Sequence, residues 1–252
     1  MQEKPAFTPR PHDIATALAL LTRLPVNASF ARSAQAAWAY PLAGLGAALI
    51  AGAVATICGW LGLGAGLTAA FALTTLIIVT GAMHEDGLAD CADGFWGGWD
   101  KIRRMEIMRD SQIGTYGMLA IGLALLFRFT TLSSLAHAGT IVSAMIAAAM
   151  LSRAGMATVM ALLPLARTDG LSHRTGRPTR ITAVAAAVCA LVLSWLVIGF
   201  VPTILAASAV ALTSFIVARI AMAKIGGQTG DVLGATQILS EIAVLCALVG
   251  FA

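Results

Sequence analysis

Seven long apolar runs dominate the sequence and determine the environment in which the chain folds, water or a lipid bilayer. They lie at residues 34–59, 63–83, 115–136, 140–163, 181–199, 202–223 and 233–251. Each is close to the length of about 20 residues that a helix needs to cross a bilayer, where a backbone without water must bond internally. Only 11% of the residues are charged, against about 25% in soluble domains. The sequence therefore predicts an all-α, polytopic integral membrane protein with about seven transmembrane helices.

The remaining segments leave little room for a second folded unit, so we expect a single transmembrane domain over residues 1–252. Residues 12–24, HDIATALALLTRL, are too short to span a bilayer comfortably, and Pro25 follows them. They predict an N-terminal amphipathic helix that lies at the membrane surface or enters it partway.

The basic residues divide the linkers into two kinds. Thirteen of the sixteen Lys and Arg residues occupy the linkers 1–33, 84–114, 164–180 and 224–232, and the other linkers are short and uncharged. With seven spans, the two kinds fall on opposite sides of the membrane. The positive-inside rule then predicts a cytoplasmic N-terminus and an external C-terminus, and it accounts for the net charge of +4 without a nucleic-acid partner.

Residues 84–117 form the main polar stretch, HEDGLADCADGFWGGWDKIRRMEIMRDSQIGTYG, and hold seven of the twelve acidic residues. If a helix continues out of the preceding apolar run, Asp86, Asp90 and Asp93 follow an i, i+4, i+7 pattern. That spacing keeps them within about 60° of one another on one helical face. Two carboxylates at this spacing, about 5–6 Å apart, repel by roughly 3 kcal/mol at an effective dielectric near 20. Such a face requires a counter-charge.

Two kinds of counter-charge are available to these acids. One is the group of nearby arginines, Arg103, Arg104 and Arg109, and the other is a divalent cation. The small residues between the acids leave room for a metal and a phosphate, which favours the cation. Carboxylate-rich sites suit Mg²⁺ or Mn²⁺, whereas zinc usually takes His or Cys.

Three arginines fall inside predicted spans, where an unpaired charge is costly. Arg153 lies less than three turns from a cytoplasmic end and is a candidate phosphate ligand, although snorkelling also explains it. Arg219 has the same two interpretations. Arg128 lies deeper, and Glu241 is its candidate buried partner.

Two linkers could bind an anion. Residues 226–234, GGQTGDVLG, precede the last helix and offer backbone N–H groups beside a helix N-terminus. The alternative there is a simple turn with Asp231 as N-cap. The linker 164–180 carries four arginines among turn residues, which suit an anionic ligand or an ordinary cytoplasmic loop.

The motifs that are present and those that are missing limit the reactions that this chain can catalyse. His84 and Glu85 do not begin an H-E-x-x-H zinc motif because the fifth residue is Leu88, and neither a G-x-S-x-G nor a Walker motif occurs. Acids on a helix followed by a basic loop fit metal-assisted transfer of a phosphoryl group or departure of a diphosphate.

Two motifs, HEDGLADCADGFWGG and MEIMRDSQIGTYG, closely resemble the cobalamin (vitamin B12) synthases, or adenosylcobinamide-GDP ribazoletransferases. The resemblance covers nearly the whole chain, including LTRLP at 21–25, YPLAG at 40–44 and GGQTGDVLGATQ at 226–237. It implies a Mg²⁺-dependent enzyme of the bacterial inner membrane with its active site facing the cytoplasm. Such an enzyme joins adenosylcobinamide-GDP to α-ribazole or its 5′-phosphate and releases GMP, in the last step of nucleotide loop assembly.

The site hypotheses follow from the motifs and this resemblance. Asp86, Asp90 and Asp93 are the expected metal ligands and catalytic acids, with Asp110 as a further ligand or the base. The expected substrate-binding residues are Glu85, Arg104, Arg109, Arg153, Gly227, Thr229, Gly230 and Asp231. The expected partners are the two small substrates and the lipid bilayer, and the oligomeric state stays open.

Two other function classes compete with this interpretation. One is another aspartate-motif membrane transferase, such as a prenyltransferase or a CDP-alcohol phosphotransferase, whose D-G-x-x-A-R opening shares its first two residues with D-G-L-A-D at 86–90. The other is a transporter, but transport sites usually lie near the membrane midplane, whereas these acids are expected at one mouth.

Overall fold

The computed structural model describes residues 7–252, so residues 1–6 of the predicted domain lie outside the described part. The prediction of an all-α polytopic protein is confirmed. The helices, numbered in chain order, are α1 (His12–Leu21), α2 (Tyr40–Trp60), α3 (Ala65–Thr80), α4 (Met83–Gly97), α5 (Lys101–Ile107), α6 (Thr115–His137), α7 (Ile141–Leu162), α8 (Gly170–Thr175), α9 (Arg180–Ile198), α10 (Phe200–Ile225) and α11 (Gly230–Val249).

Six helices of the described chain are long and apolar enough to cross a membrane: α2 with the 3₁₀ helix Gln35–Ala39 before it, α6, α7, α9, α10 and α11. The α3 and α4 pair makes a seventh span if it is counted as one, but the two helices meet at 84°. This agrees with the expected number of about seven.

The expectation that a helix continues out of the second apolar run, residues 63–83, into the acidic stretch is wrong. The chain breaks at Gly81 and Ala82, which have φ angles of +65° and +55° in the left-handed region. Glycine adopts this conformation freely and ends α3 as a C-cap, whereas alanine there is strained. The acids therefore lie on a separate helix, α4, whose direction the preceding span does not set.

Helix α7 forms the centre of the bundle, and most of its residues are buried between α2, α9 and α11. Small side chains make this close packing possible, as in other membrane helix pairs. On α2, for example, a Cβ at Gly44 would collide with the Ala149 carbonyl of α7. Helix α11, the second most buried span, packs against α7 and α4, and α4 also packs against α6.

The predicted N-terminal helix is present as α1, which packs on α2. Its buried Asp13 accepts a hydrogen bond from the Trp38 indole at 3.0 Å and pairs with Arg32 at 3.3 Å. Burial alone would raise the pKa of Asp13, but the hydrogen bonds from Trp38 and Arg32 outweigh burial and hold the pKa below its ordinary value. This contact holds α1 against the bundle, and its position relative to the membrane surface stays a prediction.

Candidate active site

Helices α4 and α11 approach each other closely at two glycines. A Cβ on Gly87 of α4 would lie 2.8 Å from the backbone oxygen of Asp231, and one on Gly234 of α11 would lie 3.2 Å from the His84 Cα. Larger residues would force the helices apart. The contact places the first turn of α11, with Asp231, beside the part of α4 that carries the predicted acids.

Four carboxylates gather where α4, α11 and the loop after α5 meet, and we call them the acid cluster: Asp86, Asp90, Asp110 and Asp231. Asp86, Asp90 and Asp110 line a cavity of about 370 Å³, the acid cavity. Asp86 also lines a smaller cavity of about 110 Å³ together with Asp231. The charges of Asp231, Asp86 and Asp93 repel the Asp90 carboxylate. The structure therefore brings together three of the predicted catalytic acids and Asp231, which the sequence placed 121 residues beyond Asp110.

Asp93, the third acid predicted on the face of α4, turns toward α6. Its Oδ2 accepts a hydrogen bond from the Gly114 N–H at 2.7 Å and its Oδ1 accepts one from the Gly117 N–H at 2.9 Å. These bonds satisfy N–H groups that the start of a helix leaves without partners, and the negative charge suits that end of the helix. Asp93 anchors α6 to α4, and its role as a metal ligand stays a prediction.

We expect Gly117→Ala to destabilise the protein by about 1–2 kcal/mol, the cost of losing a helix cap. A Cβ at Gly117 would overlap the Asp93 carboxylate and displace it from the start of α6. The measurement is thermal unfolding of the detergent-solubilised protein. Gly122→Ala on the same helix is the matched control, because nothing lies within 4 Å of the added Cβ. Equal shifts in the two variants would contradict the capping role.

The two arginines nearest the acid cluster are both partnered by carboxylates. Nη2 of Arg109, a predicted substrate ligand, donates to both oxygens of Asp169 at 2.9 Å. Arg167 lies 3.4 Å from Asp231 and 3.6 Å from Asp169. The site hypotheses omitted Arg167, because nothing in its linker distinguishes one arginine from the other three. Only the folded chain shows which one reaches Asp231.

The Arg104 side chain binds backbone carbonyl groups and does not point into an open cavity. Its Nε donates to the Gly98 carbonyl at 3.0 Å, Nη1 to the Lys224 carbonyl at 3.0 Å and Nη2 to the Trp99 carbonyl at 3.1 Å. These bonds tie α5 to the end of α10. The placement gives no support to the predicted role of Arg104 in binding a diphosphate.

A second group of charges is buried between the helices, and we call it the buried ion cluster: Glu85, Arg128, Arg153 and Glu241. The neutral Gln237 donates a hydrogen bond to Glu241 at 2.6 Å. Arg128 pairs with Glu85 at 2.6 Å and with Glu241 at 2.8 Å, so the expected pairing of Arg128 with Glu241 is confirmed. Arg153 is 1% exposed and donates to the Ala149 carbonyl. Two predicted substrate ligands, Glu85 and Arg153, therefore lie within the bundle, and binding roles for them stay predictions.

The linker before α11 is held by the linker after α7. The Gln228 N–H donates to the Pro164 carbonyl at 2.8 Å, and the Ala166 N–H donates to the Gln228 carbonyl at 2.9 Å. A Cβ on Gly227 would collide with the Pro164 carbonyl, so glycine is required there. The Gln228 side chain also accepts a hydrogen bond from Ser172 of α8 at 2.6 Å. Gly227 thus serves the packing of the two linkers.

Thr229 caps α11, so the alternative with Asp231 as N-cap is wrong. The Thr229 Oγ1 accepts a hydrogen bond from the Val232 N–H at 3.3 Å and donates to the Asp231 carboxylate at 3.0 Å. A Cβ on Gly230 would meet nothing within 4 Å. Because Thr229 does the capping, the Asp231 side chain is available to the acid cluster.

The acid cluster fits a magnesium ion in the chemistry of its donors. No three His, Cys, Asp or Glu side chains in residues 7–252 converge closely enough, as placed, to hold a metal ion. Asp86 and Asp90 nevertheless present oxygen donors to one cavity, and Mg²⁺ favours oxygen ligands and usually keeps several waters. Asp86 and Asp110 are exposed, so their side chains can rotate toward a cation without disturbing the packing.

Comparison with known proteins gives one consistent result. The sequence profile of the cobalamin-5-phosphate synthase family matches residues 13–249. The chain is 43% identical over 244 residues to the adenosylcobinamide-GDP ribazoletransferase of Bradyrhizobium diazoefficiens, covering 95% of this chain and 94% of that protein. It is 42% identical over 253 residues to the enzyme of that name from Azorhizobium caulinodans, covering 95% and 96%. No solved structure matches.

Proposed function

This chain belongs to the cobalamin-5-phosphate synthase family, and from that premise we propose that its acid cluster is the active site of an adenosylcobinamide-GDP ribazoletransferase. The enzyme transfers the adenosylcobinamide-phosphate moiety of adenosylcobinamide-GDP to α-ribazole or α-ribazole 5′-phosphate, releasing GMP. The product is adenosylcobalamin or its 5′-phosphate, at the last step of nucleotide loop assembly in cobalamin biosynthesis. The relatives that match nearly the whole chain favour this activity over a CDP-alcohol phosphotransferase, a prenyltransferase or a transporter.

The observation that carries the site assignment is the meeting of two cavities at Asp86. One cavity contains Asp90 and Asp110, and the other contains Asp231. Two substrates that exchange a phosphoryl group must both reach one reacting phosphorus, and a shared wall lined by acids suits this requirement. Asp86 and Asp90 are the residues that we assign to a Mg²⁺ ion, with Asp231 or Asp110 completing the set.

The reaction breaks the phosphoanhydride bond of the donor diphosphate and forms a phosphate ester bond to the acceptor. A ribose hydroxyl of the ribazole attacks the phosphorus next to the cobinamide arm, a new P–O bond forms, and the P–O bond to GMP breaks. A carboxylate takes the hydroxyl proton, and Asp110 is our candidate because it is exposed at the acid cavity. Arg109 and Arg167 are the nearest arginines for the leaving phosphate. A bound Mg²⁺ supplies charge neutralisation on that phosphate.

We place the active site at the cytoplasmic face. Contacts between three basic linkers support this placement. The linker 84–114 contacts the linker 164–180 through Arg109 and Asp169, and it contacts the linker 224–232 through Arg104 and the Lys224 carbonyl. The linker 164–180 contacts the linker 224–232 through Arg167 and Asp231. These linkers therefore share one end of the bundle, as the charge distribution requires. Positive-inside bias makes that end cytoplasmic, in a multi-pass protein of the bacterial inner membrane.

The direct test is GMP release by the purified protein in lipid vesicles, with adenosylcobinamide-GDP and α-ribazole as substrates. We expect GMP and a corrinoid product in equal amounts. Removal of Mg²⁺ with EDTA lowers the rate at least about 100-fold, because the metal contributes several kcal/mol to the transition state. Rates unchanged by EDTA would refute the metal assignment. CMP release from a CDP-alcohol, without GMP release from the corrinoid, would refute the function.

A further inference from the structure

Two arginines face a third cavity beside the acid cluster. This cavity, the basic cavity, has a volume of about 490 Å³ and is lined by Arg23 and Arg174 together with apolar side chains that include Leu20, Phe30 and Leu171. Within residues 7–252, neither arginine has a carboxylate partner, whereas Arg109 and Arg167 are both paired. The basic cavity therefore combines uncompensated positive charge with an apolar wall.

Both arginines are attached to ordered parts of the fold. The backbone N–H of Arg23 donates to the Val79 carbonyl at 2.7 Å. The Arg23 side chain packs on Gly81, where any added Cβ would collide with the arginine. The left-handed glycine that turns the chain between α3 and α4 thus also leaves space for Arg23. Arg174 lies on α8, which the bond between Ser172 and Gln228 joins to the linker before α11.

The basic cavity adjoins the active site. It shares the wall residues Leu20, Met83, Leu171 and Thr175 with the small cavity that contains Asp86 and Asp231. A ligand anchored in the basic cavity can therefore extend past this shared wall toward the acid cluster. The arrangement suits a ligand with an anionic group at one end, an apolar ring system and a reacting group toward Asp86.

The charges of the two substrates indicate which phosphate group binds in the basic cavity. The diphosphate of the donor reacts at the acid cluster, because its phosphorus is the one attacked. A phosphomonoester on the acceptor carries about −1.5 to −2 charges at neutral pH, and placing it among the same carboxylates would add repulsion. The acceptor phosphate therefore needs a separate cationic site, no farther from the reacting hydroxyl than the length of one nucleotide. Arginine side chains suit it because they bind phosphate in a bidentate manner.

We propose that Arg23 and Arg174 bind the 5′-phosphate of α-ribazole 5′-phosphate. The inference rests on the proposed function and names two residues that hold the acceptor substrate at the same site.

The test compares the two acceptors in the double variant R23Q/R174Q, with GMP release in neutral phosphatidylcholine vesicles as the readout. The readout is the ratio of kcat/KM for α-ribazole 5′-phosphate to kcat/KM for α-ribazole. We expect this ratio to fall by about 100-fold, because the variant loses the hydrogen bonds of two arginines to a charged phosphate. The KM for adenosylcobinamide-GDP stays within about twofold of the wild-type value. R180Q is the matched control, since Arg180 is an exposed arginine at the start of α9 outside the basic cavity, and it leaves the ratio unchanged.

Several outcomes overturn the proposal. Equal losses for both acceptors, or a raised KM for the GDP-linked donor, would show that the arginines serve another part of the site. A defect that appears only in vesicles containing phosphatidylglycerol would assign them to an anionic lipid headgroup. A second measurement uses the wild-type protein, in which inorganic phosphate competes with α-ribazole 5′-phosphate but not with α-ribazole. Equal inhibition of both acceptors contradicts the proposal even if the double variant does not fold. GMP release from neither acceptor by the wild type would instead refute the proposed function.

Discussion

Asp90→Asn lowers Mg²⁺-dependent GMP release by about 100- to 1,000-fold, the usual effect of losing one group that stabilises transition-state charge. Asp90 lies among the repelling charges of Asp231 and Asp86 and lines the acid cavity. Removing its charge relieves this repulsion, so the folded state is expected to be as stable as the wild type or more stable. Loss of turnover without loss of stability identifies a functional carboxylate.

Asp100→Asn is the control for this experiment. Asp100 lies in the same polar stretch, is exposed, and caps α5 by accepting a hydrogen bond from the Arg103 N–H at 2.9 Å. Asparagine caps helices as well as aspartate does, so this variant changes the charge equally and keeps turnover within about twofold. Normal Mg²⁺ dependence in Asp90→Asn, measured across a Mg²⁺ titration, would remove Asp90 from the metal site.

Arg128→Met destabilises the protein by about 3–5 kcal/mol, the usual cost of removing one partner from a buried charge pair. The variant leaves Glu85 and Glu241 in the bundle without their guanidinium, and both carboxylates are almost fully buried. Thermal unfolding in detergent measures the effect. Because Glu85 precedes Asp86 on α4, a shift of Glu85 also disturbs the acid cluster, and activity falls with stability.

A second variant separates charge imbalance from lost packing. Combining Arg128→Met with Glu85→Gln and Glu241→Gln removes all three charges and recovers most of the lost stability, because an uncompensated buried charge is the main cost. Arg219→Met is the single-site control, since Arg219 is exposed on α10 and its loss has an effect below about 1 kcal/mol. A triple variant as unstable as the single one would show that packing by the arginine stem dominates.

The transmembrane helices were the most predictable part of the structure. A bilayer requires long apolar segments with internal backbone bonding, so the run at 140–163 predicted α7 (Ile141–Leu162) to within one residue at each end. The same rule does not say where a helix bends. The break at Gly81 and Ala82 between α3 and α4 was therefore not predicted, and it lets α4 pack against α6 and α11.

The candidate site was predictable only where its residues are neighbours along one helix. Asp86 and Asp90 were identified from helical spacing, since i and i+4 share a face of any helix. Asp93 has the same residue type at an equally suitable spacing, yet it caps α6 because that helix begins opposite it. The arginines show the same limit, because Arg104 binds backbone carbonyls while Arg167, which no motif marked, reaches Asp231.

The sequence by itself determined the membrane environment, the helical class, the family and the helix that carries Asp86 and Asp90, because these depend on local composition, spacing and motifs. The tertiary structure alone decided that Asp231 joins those acids, that the Asp93 oxygens accept hydrogen bonds from the start of α6, and that Arg23 and Arg174 line an adjoining cavity. The physical reason is that these relations depend on contacts between distant segments, above all the close approach of α4 and α11 at Gly87 and Gly234, and no local pattern specifies how two helices pack.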